Sequence, residues 1–132
     1  TAQFTFQMLE GEQGSALFEH VLIQYCHYRQ GDAKVTGYRI GNFAYISDIF
    51  EYDPSIFESL RGVEQLVLSA LRQEPSYVHF SLDQAIHFAR QVGARHTRLT
   101  HLSHFLDHEE TNRILPPDIQ LGYDGLTMAF AV

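Results

Sequence analysis

The chain has 132 residues, 45% of them hydrophobic and 13% aromatic, enough for one compact core and too apolar for an intrinsically disordered polymer. Nine Lys and Arg against sixteen Asp and Glu give a formal net charge of −7, which repels a phosphate backbone or an anionic membrane on average, so nucleic acid is not the expected partner. No apolar run reaches the roughly 18 residues of a membrane span, the single Cys26 has no internal disulfide partner, and no signal-peptide pattern is present; cytoplasm is the default setting.

In chain order, the first strand-like run is Gln3 to Leu9, followed by Val21 to Cys26. Thr36 to Ile40 and Phe43 to Ser47 flank Gly41-Asn42, a two-residue turn signal, and so predict a hairpin whose second strand stops at Asp48. Gln65 to Ser69 is a further apolar strand. Ser81 then precedes Leu82, Ala85, Ile86, Ala89 and Val92 at helical spacing, and Gly93 stands at the terminator position. Thr97 to Thr100 returns as a strand, so Gln65 to Thr100 reads as a βαβ-like unit. A shorter helix is expected from about Phe105, ending before Pro116-Pro117, and Leu126 to Phe130 closes the chain as a last strand. The expected class is α/β, a mixed sheet with helices on one face. With no repeat or linker to divide it, residues 1–132 form a single unit.

Eight histidines are a high count for this length, and several fall at predicted strand ends, where loops aim side chains into a cleft. His101 follows the strand ending at Thr100; it reads as a metal ligand or as a hydrogen-bonded loop residue. Asp48 ends the hairpin and reads as a ligand whose two oxygens could hold cations, or as a turn former. With His27 they make an oxygen and nitrogen set suited to Zn or Mn. His79 stands at the mouth of the helix expected over Leu82 to Val92, where Ser81 is the expected N-cap; it reads as a cleft residue or as helix-entry packing. His104 and His108 are four apart but lack the Glu of a zincin helix, and His20, His87 and His96 fall in no constellation.

Taken together, Gly37-Tyr38-Arg39-Ile40-Gly41 through Asp48, His79-Phe80-Ser81-Leu82, Leu99-Thr100-His101-Leu102-Ser103-His104 and Tyr123-Asp124-Gly125-Leu126 resemble the second half of metallo-β-lactamase superfamily hydrolases. The resemblance is greatest to the branch containing the phosphoribosyl cyclic phosphate phosphodiesterase of phosphonate breakdown, and weaker to the tRNA 3′-processing endonucleases. It covers all but the first dozen residues. It implies the C-terminal half of an αββα sandwich, with His27, Asp48 and His101 as metal ligands to two divalent cations, Zn or Mn. It implies His79 as a non-ligand general acid near the scissile phosphate, and His104 as a possible substrate contact. The implied reaction is two-metal hydrolysis of a small (cyclic) phosphodiester.

The superfamily's main His-x-His-x-Asp-His motif occurs nowhere in these 132 residues. The chain, which starts at Thr1 without Met, is therefore expected to be a fragment that needs a missing N-terminal half, is inactive alone and self-associates into a homo-oligomer through an exposed sheet face. The competing expectations are a tRNA-processing-type nuclease and a non-catalytic binding or interaction domain.

Overall fold

The computed structural model describes residues 1–132. Seven strands form one mixed sheet in sequence order: β1 (Gln13–Phe18), β2 (Val21–Gln30), β3 (Ala33–Ile40), β4 (Phe43–Ile46), β5 (Gln65–Ser69), β6 (His96–Thr100) and β7 (Ile119–Leu121). β1 to β4 are an antiparallel meander, and β4 to β7 run parallel. Three helices join the strands: α1 (Ile56–Ser59), α2 (Leu82–Val92) and α3 (His108–Ile114). The α/β class is confirmed.

One face of the sheet is the core. Cys26 and Tyr28 on β2, Ala44 and Ile46 on β4, Leu66 and Leu68 on β5, Leu99 on β6, and Ile119 and Leu121 on β7 form one buried cluster with Ile56, Leu60, Leu82, Ala85 and Phe88. The period-2 alternation of each strand supplies the first group, and the helical spacing of α2 supplies most of the second. All three helices thus lie on the same side of the sheet.

Local chemistry sets the ends of the elements. Ser81 accepts from the Gln84 amide while the Gln84 side chain accepts from the Ser81 amide, a reciprocal box at the start of α2; Gly93 ends the helix in the left-handed region at φ 74°. Gly41, at φ 57°, makes the β3–β4 turn, and a Cβ there would run into the Ala131 carbonyl oxygen, so glycine is required twice over.

Several expected elements are placed differently. Gln3 to Leu9 is not a strand: Phe4, Phe6 and Met8 alternate correctly but pair with no neighbour, and the edge beside β2 belongs to β1. Leu126 to Phe130 is not a strand either, because Ile119–Leu121 already fills the edge beside β6; the tail instead lies across the sheet, with Phe130 stacked on Phe43 at 4.5 Å. The last helix starts at His108, not near Phe105, since the Asp107 carboxylate accepts from the Glu110 amide at 2.8 Å and caps it. β2 continues past Cys26 to Gln30, and α1, only one turn long, carries too short an apolar period to be read from sequence.

Candidate metal centre

Parallel strands β4, β5 and β6 present their carboxyl ends along one edge, the place where loops of an α/β sheet converge on a ligand. Asp48 leaves β4 there, His101 leaves β6, and His79 precedes the helix that follows β5. Ligand atoms from these three side chains all lie within 4.8 Å of one another. His101 Nε2 is 3.5 Å from Asp48 Oδ1, and the His79 and His101 rings are 4.9 Å apart, tilted by 37°.

The backbone around β5's exit holds this arrangement. Ala70 N–H donates to the Thr100 carbonyl and Ser103 N–H to the Leu71 carbonyl, gripping His101 from both sides. Leu71 N–H donates to the Phe80 carbonyl and Leu82 N–H to the Arg72 carbonyl, fixing the segment that carries His79. Asp48 is braced from β2: the buried Tyr28 hydroxyl donates to the Ser47 carbonyl at 2.7 Å, and Phe50 and Glu51 pair with Arg29. Burial pushes the Tyr28 phenol far above its ordinary pKa, so it stays protonated and keeps donating.

Asp48 and His101 share a further property. Both sit in the left-handed region, at φ 54° and 62°, where a residue with a Cβ is disfavoured. Of three non-glycine residues with positive φ, these two belong to the cluster, and the third, Glu19, lies in the β1–β2 turn. Two disfavoured backbone positions aimed at one point are the kind of local cost that functional sites retain.

The donor set fits a divalent cation. Two ligands about 2.0 Å from one tetrahedral ion are about 3.3 Å apart, close to the 3.5 Å between His101 Nε2 and Asp48 Oδ1. One carboxylate with imidazole nitrogens suits Zn or Mn. His79 is partly buried; desolvation lowers its pKa first and the neighbouring His101 charge adds to this, while the Asp48 carboxylate acts in the opposite direction.

The expected site residues therefore divide. Asp48, His79 and His101 come together. His27 does not follow a strand as expected but lies within β2, because the strand continues three residues beyond it; Thr36 Oγ1 is 2.9 Å from its Nδ1 and the Leu9 carbonyl oxygen 3.4 Å from its Nε2. It is not among the three clustered residues. His104 is exposed, its ring 4.1 Å from that of Phe105. Gln30, at the end of β2, was not singled out: its amide nitrogen is 2.9 Å from His79 Nδ1 and 3.4 Å from His79 Nε2. The signal for it is the inward alternation of Cys26 and Tyr28, which places Gln30 on the same face once the strand is carried to the Gly31-Asp32 turn.

A mixed sheet with helices on one face and an Asp/His cluster at its parallel edge defines an α/β domain with a candidate metal site. Residues 3–102 match the family described as the β-lactamase superfamily domain, and the chain belongs to the metallo-β-lactamase superfamily. It is 38% identical to a solved diphosphatase from the PhnP family, with a TM-score of 0.86 over 89% of this chain and 47% of that one. It is also 37% identical, over 100 residues, to an octanoyltransferase of Porphyromonas gingivalis strain W83, covering 73% of this chain and 20% of that protein. The short form of human tRNase Z shares the fold at 12% identity and a TM-score of 0.72, over 92% of this chain and 48% of that one. The chain thus spans about half the length of these solved relatives and a fifth of the octanoyltransferase.

Proposed function

We propose that this chain supplies one half of the active site of a metal-dependent phosphodiester hydrolase. The observation that carries the reading is the convergence of Asp48, His79 and His101, two of them at disfavoured backbone positions, on one point at the sheet's parallel edge. The 38% identical diphosphatase supports phosphorus chemistry in particular. The octanoyltransferase name counts for less, because the matched stretch is a fifth of that protein.

Asp48 and His101 are assigned as ligands. A divalent cation held there, Zn or Mn, supplies Lewis acidity and a nucleophile at neutral pH. His79 is assigned to the leaving or phosphoryl oxygen, and His104, on the loop after His101, to a substrate contact beyond it. His27 enters the ligand set through Nε2 only if the segment carrying Leu9 gives way, since that carbonyl oxygen lies 3.4 Å from Nε2 while Thr36 Oγ1 lies 2.9 Å from Nδ1. The net charge of −7 favours a small phosphodiester over a nucleic acid.

Two ligating side chains, Asp48 and His101, are few for a dinuclear centre, so further ligands are assigned to an N-terminal half outside these residues, in keeping with solved relatives about twice as long. The sheet face opposite the helices carries half-exposed Tyr38 and Tyr45, which suits that half or, in its absence, a second copy of this chain. No helix is long and apolar enough to cross a membrane, and the lone buried Cys26 fits a reducing, cytoplasmic setting.

The test is hydrolysis of bis-p-nitrophenyl phosphate by the full-length protein with Zn or Mn. Turnover that depends on either metal and is lost in Asp48→Ala is expected; absence of turnover with both would favour a binding module.

A further inference from the structure

Gln30 is the one side chain outside the cluster recorded against the His79 ring nitrogens, and it reaches His79 from the far end of β2, 49 residues away in sequence. An amide nitrogen can only donate, so the ring nitrogen that it meets must be an acceptor. The contact to Nδ1 is 2.9 Å and that to Nε2 3.4 Å; the shorter one takes the hydrogen bond, which leaves the proton of the neutral ring on Nε2. A protonated nitrogen cannot ligate a metal, and an Nδ1 that already accepts from the amide is not free to do so.

On this basis, which rests on the function proposed above, we propose that Gln30 is a positioning residue that keeps His79 out of the metal's ligand set and presents it to substrate as an Nε2–H hydrogen-bond donor. His79 then differs from Asp48 and His101 in role although it shares their cluster. The distinction has a physical counterpart: histidines that ligate through Nε2 donate Nδ1–H to a carboxylate or carbonyl oxygen, and Gln30 offers His79 the reverse polarity. The backbone agrees with the division. Asp48 and His101 hold left-handed geometry, whereas the segment carrying His79 pairs regularly with Leu71 and Arg72 on its way into α2. His79 donates a hydrogen bond in this scheme and gives up no proton, so the step leaves its charge unchanged.

Two-bond proton–nitrogen correlations on the 15N-labelled metal-free chain report which nitrogen of His79 carries the proton. The wild type is expected to show Nε2–H. Gln30→Glu places an acceptor beside Nδ1 and should move the proton there, freeing Nε2; Zn affinity measured by calorimetry should then rise roughly tenfold, the lower end of the usual range for an outer carboxylate partner. Gln30→Leu should leave both tautomers populated. An Nδ1–H wild type, a tautomer unchanged in Gln30→Glu, or an unchanged Zn affinity in that variant each overturns the proposal. The wild-type spectrum requires no variant to fold and no activity. Nε2–H in a protein that cleaves no phosphodiester would leave the Gln30 assignment standing and remove only the reaction.

Discussion

The meander β1–β4 and the parallel layer β4–β7 share one sheet but divide the work. The parallel layer buries Leu66, Leu68, Leu99 and Leu121 under α2 and α3, and its carboxyl edge carries Asp48, His79 and His101. The meander is thinner: Leu17, Phe18 and Leu22 at its outer hairpin stand largely exposed. Its contribution to the site is support, through Tyr28 to Ser47, Arg29 to Phe50 and Glu51, and Gln30 to His79. Parallel strands put several exits at one edge and so bring distant residues together, whereas a meander alternates its ends and reaches that edge with only one turn in two.

If stability is concentrated in the parallel layer, truncation there should dominate. Leu99 is fully buried, and Leu99→Ala should cost about 2–5 kcal/mol in urea unfolding. Leu22→Ala, on the exposed hairpin, should stay within about 0.5 kcal/mol. Similar losses at both positions would erase the contrast.

The same contrast applies to the metal. Asp48→Gly and His101→Gly should each weaken Zn binding by more than about tenfold in calorimetry, a loss at least as large as outer-sphere changes produce. Each also relieves a left-handed backbone position, so thermal stability should hold or rise despite the glycine. His27→Ala should leave Zn affinity within about threefold, as its nitrogens already face Thr36 and Leu9. Equal effects at Asp48 and His27 would put the meander into the ligand set.

How far the sequence reveals this division depends on range. Ser81, the 82–92 period and Gly93 specify α2 within a dozen residues, and Gly41-Asn42 specifies the β3–β4 turn, so both are legible. Asp48 is legible as a strand-end residue because Phe43–Ile46 before it is a short apolar run, and His101 because Leu99 stands between the β-branched Thr97 and Thr100 of β6. Gln3 to Leu9 has a strand's alternation without a strand's partner, and no local pattern encodes whether a partner exists. The place of His27 within a strand, not after one, is illegible for the opposite reason: β2 continues through polar Arg29 and Gln30, paired by register with Lys34 and Ala33. The Gln30–His79 contact spans 49 residues and joins the end of β2 to the segment before α2, which only the assembled sheet brings together.

The Tyr28 hydroxyl tests the bracing role at a smaller scale. Tyr28→Phe removes the donor to Ser47 and leaves a carbonyl unpaired beside Asp48, at a cost of about 1–3 kcal/mol. The stability loss alone is ordinary. A bracing role adds a fall in Zn affinity that Tyr28→Phe shows and an equally destabilising core variant, chosen away from the β4 exit, does not.

Cys26 gives the smallest effect and a sign that can be checked. Burial moves its thiol from the ordinary value of 9.0 up to about 11, because a thiolate against the core is poorly solvated. The unfolded chain therefore releases this proton at lower pH than the folded one. The stability that Cys26 contributes is complete below pH 9 and declines between pH 9 and about 11 as the unfolded state ionises first. The urea midpoint of the wild type should thus fall across that window more steeply than that of Cys26→Ala, and iodoacetamide at pH 8 should label the thiol only after urea is added. Parallel midpoint curves, or rapid labelling without urea, would show that β2 opens on its own and that the meander's inner face is less firmly packed than its contacts with β4 imply.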